Sequence, residues 1–425
     1  MMKKFVLGLA VAAILLSGNV FAGGNSETGD EEQVTLQMMY WDNVQTPVID
    51  EAIEIFEAAN PNIKIETSVV PWGQYWQKLQ TTTVAGTAPD IFWMNVPNFP
   101  KYANNNLLMN LSDYFEESGV DITKYPSDLV AKYSYEGNVY AIPEQFDTIT
   151  LAYNKTMFDE ADLAYPDESW TWDDLLEAAQ ALTKETDNGK QYGYLSNFGN
   201  QDGYYDYMVS NGGFIVSEDR KVSGFDDPSS IEAVQFLVDL IYKYGVSPTG
   251  QQMVEVNSPF DLFTSGKVAM TAMGSWYVPI VNDSLGDQVD FAPLPKSPNT
   301  NERKSIIHGI GWTSYSKTKY PEATWKFLNY LISPEFNTSM AKSGITIPAY
   351  EGMAADWVNA IPYYNLQEFI NAQEYSWPYP VSLKASEWTS IEISYLKDAY
   401  LNNMSVEEAM TSIADQMNEI LESED

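Results

Sequence analysis

The chain has 425 residues, with 23 Lys and Arg against 59 Asp and Glu, a formal net charge of -36, and no cysteine. That charge repels phosphate backbones and anionic lipid, which excludes nucleic acid and membrane surfaces as partners, and the missing cysteine excludes disulfides and a lipid anchor through an N-terminal thiol. Aromatic residues make up 14% of the chain, with 12 Trp and 28 Tyr, a supply that fills cores and also suits a site needing flat apolar faces with polar edges.

In chain order, Lys3 and Lys4 precede an apolar run from Phe5 to Leu16 and a small-residue site ending at Ala22. This reads as a cleaved secretory signal peptide, residues 1–22, with a core too short to span a membrane. The acidic, glycine-rich residues 23–33 read as a flexible tether. A mature chain of about 400 residues exceeds what one core organises, so two domains are expected. VTLQMMY predicts a strand, Pro47 to Ala59 a helix with Val48, Ala52, Ile55 and Phe56 on one face, IKIETSVV a second strand, Trp72 to Ala85 a helix stopped by Gly86, and DIFWM a third strand. Strand, helix and strand in this rhythm predict a parallel sheet with crossover helices, which binds ligands at the carboxyl ends of its strands. After VYAIP a second α/β series begins. TITLAY is its first strand, TWDDLLEAAQALTK a helix capped by Thr171, SSIEAVQFLVDLIYKYG another helix, and VAMTAM a strand. From Pro321 the pattern is mostly helical. The last helix places Val406, Ala409, Met410, Ile413, Met417 and Ile420 on one stripe, which is core packing.

The residues offer little for catalysis. His308 is the single histidine, so a histidine-based zinc site or a Ser-His-Asp triad would rest on one imidazole. No phosphate loop of the GxxxxGK[ST] kind and no GxGxxG after a strand occurs. No cofactor and no metal are expected. Paired carboxylates of a glycosidase remain open from composition, because the sequence does not fix the separation of any two.

Several segments, in order, resemble the extracellular carbohydrate-binding proteins of bacterial ABC importers, of the maltose- and trehalose-binding type. They are YWD after the first strand, FEAANPNIKIE, WGQYWQKLQTTTVAGTAPDIFWMN, NVYAIPEQFDTITLAYNKTMFDE, FTSGKVAMTAMGSWYVPI, FAPLPKSP and YPEATWKFLNYLISPEFN. The resemblance covers the mature chain and implies an α/β protein of two lobes, each a mostly parallel sheet flanked by helices, with the ligand in the cleft between them. It places lobe 1 at residues 34–142 and 311–345 and lobe 2 at 143–310 and 346–425. The crossings fall near Pro143, near His308 to Gly311, and near Gly344 to Pro348, where glycine and proline suit hinges. It further implies a monomer, periplasmic or secreted, that carries a mono- or oligosaccharide to a membrane permease and performs no reaction.

A pyranose has an apolar CH face that stacks on an aromatic ring and a rim of hydroxyls that cost free energy if buried unpaired. On the resemblance, Trp276 is the stacking residue, with Gly274 and Ser275 bringing backbone close to the ligand and Tyr277 packed inward. Asn95, beside Trp93 at a strand end, both donates and accepts. Trp41 and Asp42 end the first strand and face the cleft, as contacts or as rim. Asp147 corresponds to a carboxylate at the lobe crossing that accepts sugar hydroxyls; Glu144 and Gln145 are its neighbours. Asp202 and Tyr204 fall in a second contact region, and Trp312 and Trp388 offer further stacking. The same carboxylates and rings also suit a cationic solute such as a polyamine. Asp90 reads as structural.

Overall fold

A computed structural model describes residues 33–424 other than 188; the signal peptide and all of the tether except Gln33 lie outside the described residues. The expected strand, helix and strand are Val34–Tyr40, Thr46–Ala59 and Ile63–Val69, followed by the helix Trp72–Val84 and the strand Ile91–Asn95. Val34–Tyr40 pairs in parallel with both of the other strands. Val48, Ala52 and Phe56 are buried on the first helix, whereas Ile55 is exposed. Asp90 accepts from the Gln37 amide at 2.9 Å and from the Thr318 hydroxyl at 2.5 Å, a structural role that ties the third strand to the first.

Four further segments complete the first sheet. In spatial order the strands are Ile347–Pro348, Ala141–Asp147, Ser305–Ser314, Ile91–Asn95, Val34–Tyr40 and Ile63–Val69, with Ser376–Pro378 added beside the start of Ser305–Ser314. The second sheet runs Val289–Ala292, Ile149–Asn154, Val268–Gly274, Gly189–Leu195, Lys184–Thr186. Both sheets are mixed, not mostly parallel. Ser305–Ser314 is antiparallel to both of its long neighbours, and Ile149–Asn154 is antiparallel to Val268–Gly274. A parallel neighbour needs a crossover of a dozen or more residues. Ser305–Ser314 and Ile149–Asn154, which arrive from the other sheet without such a helix, join antiparallel, whereas the short Ser376–Pro378 joins Ser305–Ser314 in parallel.

The strand Ala141–Asp147 runs through Pro143 without ending there, and after Thr148 the chain continues as Ile149–Asn154 in the second sheet. Helices pack on the sheets as their apolar stripes dictate. Trp172–Leu182 starts at Thr171, whose hydroxyl accepts from the Asp174 amide while the Asp174 carboxylate accepts from the Thr171 amide. In Val406–Glu422, residues Val406, Ala409, Met410, Ile413 and Met417 are buried.

Gly193 lies where the helix Trp172–Leu182 crosses the second sheet, and a Cβ there would land on the backbone of Ala179. Gly193→Ala is expected to cost roughly 1–3 kcal/mol and to lower the melting temperature by several degrees. Gly73→Ala is the control: a Cβ there meets nothing within 4 Å, and alanine is the better helix former. Thermal unfolding followed by circular dichroism checks the pair; equal melting curves would refute the close approach.

Candidate ligand-binding site

The carboxyl end of Val34–Tyr40 delivers Trp41 and Asp42, the end of Ile63–Val69 leads to Trp72, and Ile91–Asn95 carries Trp93 and Asn95. Their rings meet. Trp41 lies 4.7 Å from Trp93, 5.2 Å from Trp72 and 5.8 Å from Trp76 between centroids, and Trp93 lies 5.4 Å from Trp312, its partner on the adjacent strand. The cluster is graded in depth. Trp93 and Trp312 have no exposed surface, Trp41 and Trp76 are half-buried, and Trp72 is 52% exposed. The indole N–H groups of Trp76, Trp93 and Trp312 are buried without a hydrogen-bond partner.

Carboxyl groups stand beside this wall. Asp42 keeps one oxygen on the Val44 amide at 2.7 Å, and burial raises its proton affinity. Glu144 faces Trp93 from the strand Ala141–Asp147; it is 5% exposed, and neither of its oxygens is in hydrogen-bond geometry with a partner, though the Trp93 indole N–H lies near enough to favour its charged form. Burial pushes its carboxyl well above the usual range, and the charges of Asp42 and Asp147 add to the shift. Glu144 occupies a β-bulge. Gln145 pairs with Ile310 and Pro143 with Gly311, so Glu144 is the extra residue, the kind of irregularity that re-aims a side chain. Asp147 sits opposite His308, with 3.6 Å between its Oδ2 and the imidazole Nδ1, and accepts from the Ser275 hydroxyl at 3.4 Å.

The second sheet contributes from the ends of its parallel strands Gly189–Leu195 and Val268–Gly274. Trp276 is half-buried over a small cluster of Ile149, Ala272 and Leu294. The expectation for Gly274 needs correction: a Cβ there would strike the ring of Trp276 itself, so the glycine makes room for that indole. Tyr277 stacks on Phe260 at 3.9 Å and 19°. Asp202 lies in the segment Asn200–Tyr204, close enough to act on Tyr277, and burial raises its carboxyl to about 6.

The expected residues thus fall into groups. Trp41, Asp42, Trp312 and Asp147 collect around Glu144, and Trp276 and Asp202 lie at the facing strand ends. Asn95, buried, spends its side-chain oxygen on Asn98 at 2.9 and 3.2 Å, holding the turn into the next helix. Tyr204 and Trp388 are wholly buried in the hydrophobic core, and the Trp388 N–H is already bonded to Ser382 at 2.9 Å. They are not brought together with the others. Glu144 and Trp72 were the residues least visible beforehand. The signal for Glu144 is Pro143, because a proline inside a central strand marks a bulge.

A second buried carboxyl has a different role. Glu392, fully buried on the helix Ala385–Tyr400, accepts from the Tyr205 hydroxyl at 2.7 and 2.8 Å and from the Asn200 amide at 3.1 Å, and burial raises it to about 8. It anchors both ends of the turn that carries Asp202. A cavity of about 860 Å³ opens elsewhere, lined by Tyr153, Phe291, Arg303, Asn365 and Tyr375; none of the expected residues reaches it. Among the described residues no group of three or more His, Asp or Glu could hold a metal ion.

Residues 42–338 match the family model described as bacterial extracellular solute-binding protein, and the chain belongs to that family, whose members bind solutes and are not enzymes. It is 26% identical over 327 residues to the arabinooligosaccharide-binding protein of Halalkalibacterium halodurans, covering 73% of this chain and 70% of the relative. To the galactooligosaccharide-binding protein of Bacillus subtilis it is 23% identical, covering 84% and 83%. Among solved structures, an ABC substrate-binding protein of Listeria monocytogenes in complex with cycloalternan superposes with a TM-score of 0.86 at 24% identity, over 92% of this chain and 99% of that one. Such neighbours share the two-lobed fold. No helix among the described residues is long and apolar enough to cross a membrane.

The raised carboxyls set a pH dependence. A carboxyl that binds its proton more tightly folded than unfolded contributes stability that is complete below its unfolded value and is lost as pH rises through its folded value. For Glu392 that window runs from its ordinary 4.5 to about 8, and for Asp202 from 3.8 to about 6. The melting temperature is therefore expected to fall as pH rises from 5 to 8, and Glu392→Gln to flatten the upper part of that decline. Melting curves of both proteins across this range check it; parallel profiles would refute the assignment.

Proposed function

We propose that this chain binds an oligosaccharide between its two lobes outside the cytoplasm and delivers it to the membrane permease of an ABC importer. One observation carries the reading. A wall of indole rings, with three buried N–H groups unpaired, stands against the carboxyls of Asp42, Glu144 and Asp147 at strand ends. Stacking faces beside unsatisfied donors and acceptors are what the two surfaces of a sugar require. The names of the relatives, binders of arabino- and galactooligosaccharides, support the same class of ligand. The family speaks for capture without turnover.

We place the lobe boundaries slightly differently from the first expectation. The first change of sheet falls at Thr148, the second at Ser305 to His308, and the third between Trp357 and Tyr364. Ser305 supports the second, since its hydroxyl accepts from the Ile149 amide at 2.7 Å while His308 already pairs with Asp147. For the third, Trp357 donates to Gly344 and Tyr364 to Gly286. Rotation about these strands would bring Trp276 and Asp202 toward the indole wall, and a ligand touching both sides would favour the closed form. Export by the N-terminal segment and release to the permease follow from the same reading.

Trp41→Ala is expected to lose about 2 kcal/mol or more of sugar affinity, as central aromatics typically do, with the fold retained; calorimetry against an oligosaccharide panel measures it. Unchanged affinity would remove the wall from the site, and consumption of the sugar would point to a glycosidase instead. Small-angle scattering with and without the best ligand should show a smaller radius of gyration when loaded. Superimposable curves at saturation would exclude closure.

A further inference from the structure

Glu144 is unusual beyond being buried. Asp42 and Asp147 both act electrostatically on Glu144, yet among the described residues no lysine or arginine forms an ion pair with any of the three. Among the described residues the basic side chain that pairs with this group is His308, and it meets Asp147. Tyr133, on the helix side, faces Glu144 as well, but its hydroxyl already donates to the Met94 and Gly309 carbonyls at 2.9 and 2.8 Å. Among the described residues no basic side chain therefore balances the Glu144 carboxyl; the Trp93 indole N–H lies near enough to favour its charged form but supplies no charge, and the bulge at Pro143 and Glu144 holds it where it is.

A neutral hydroxyl supplies one donor and no charge to such a group. An ammonium supplies three donors and a full positive charge, and an opposite charge within a few ångströms favours an ionised carboxyl. The aromatic faces of Trp41 and Trp93 add attraction for a cation within about 6 Å of their centres. The cluster reaches solvent through Trp72, so the group can be presented on a ring that stacks on the outer indoles.

We propose that the site selects an amine-bearing sugar, a 2-amino-2-deoxy residue or an oligosaccharide ending in one, with Glu144 as counter-ion to the ammonium and the indole wall as its cage. This rests on the oligosaccharide reading above and narrows it to one chemical class. An amide in place of the amine removes the charge and adds an acyl group, so N-acetylated sugars are poor ligands for the same pocket. Because Glu144 gives up its proton to meet the ammonium, binding the amine releases protons, whereas binding a neutral sugar does not.

The test is calorimetry at pH 6.5 with glucosamine, galactosamine and the glucosamine trimer, each against its N-acetylated and its unsubstituted counterpart, repeated in two buffers of different ionisation enthalpy. At least one amine is expected to bind tenfold or more tightly than both counterparts, with proton release, and Glu144→Gln is expected to abolish most of that preference. The variant is close to isosteric and removes a buried acid, so its melting temperature should hold or rise. Higher salt should weaken the amine alone. Equal or better binding of the neutral sugars, or an amine preference that survives Glu144→Gln, overturns the inference and leaves the oligosaccharide reading standing. If no sugar of any kind binds while spermidine does, both fall.

Discussion

Every passage of the chain between the two sheets has to satisfy its own backbone hydrogen bonds away from bulk water, and much of the architecture follows from how this is done at Thr148 and Ser305. Buried N–H and C=O groups are rarely left unpaired. Here the Ser305 hydroxyl accepts from the Ile149 amide and donates to its carbonyl, the Thr148 hydroxyl donates to Phe369 at 2.6 Å, and the Thr148 carbonyl accepts from Ser275 at 3.2 Å. The Asp206 carboxylate takes the Ile306 amide at 2.7 Å. The backbone groups named at the junction are thus paired, and Asp147 with His308 sits at its edge.

That arrangement explains why the candidate site lies where it does. The strand Ala141–Asp147 must reach the junction beside Ser305–Ser314, and the bulge between them takes up one extra residue. The residue taken up is Glu144. An isolated buried carboxylate is costly and usually neutralises by binding a proton. In this protein the cost is met differently at two places. Glu392 is surrounded by hydroxyl and amide donors from its own lobe, which makes it a structural anchor. Glu144 has the Trp93 indole, the committed Tyr133 hydroxyl and other acids around it, and none of these supplies a countercharge.

Much of the first sheet could be read from the chain, because its strands and helices alternate with clear periods of two and of 3.6. Val34–Tyr40, Ile63–Val69 and the helix after Trp72 fell where expected, and so did the Thr171 cap. Gly189–Leu195 and Val289–Ala292 carried weaker local signals. Those strands exist because Val268–Gly274 and Ile149–Asn154 offer them an edge. Pairing direction was also hidden, since whether a strand joins parallel or antiparallel depends on the route by which it arrives.

Residue types and their positions along the chain determined that Trp41, Asp42, Asp147 and Trp276 stand at strand ends, where an open α/β sheet exposes its ligand face. Tertiary structure alone decided what each can still do there. Asn95 is occupied by Asn98, Trp388 by Ser382, and Gly274 by the ring of Trp276, while Glu144 is left without a partner. The physical reason is that a polar group's availability depends on which neighbours reach it: Asn98, Trp276 and Ser382 lie within six residues of the groups they occupy but reach them only once the turns between are formed, whereas Trp93 and Asp42 come to Glu144 from other strands that only the packed fold brings near.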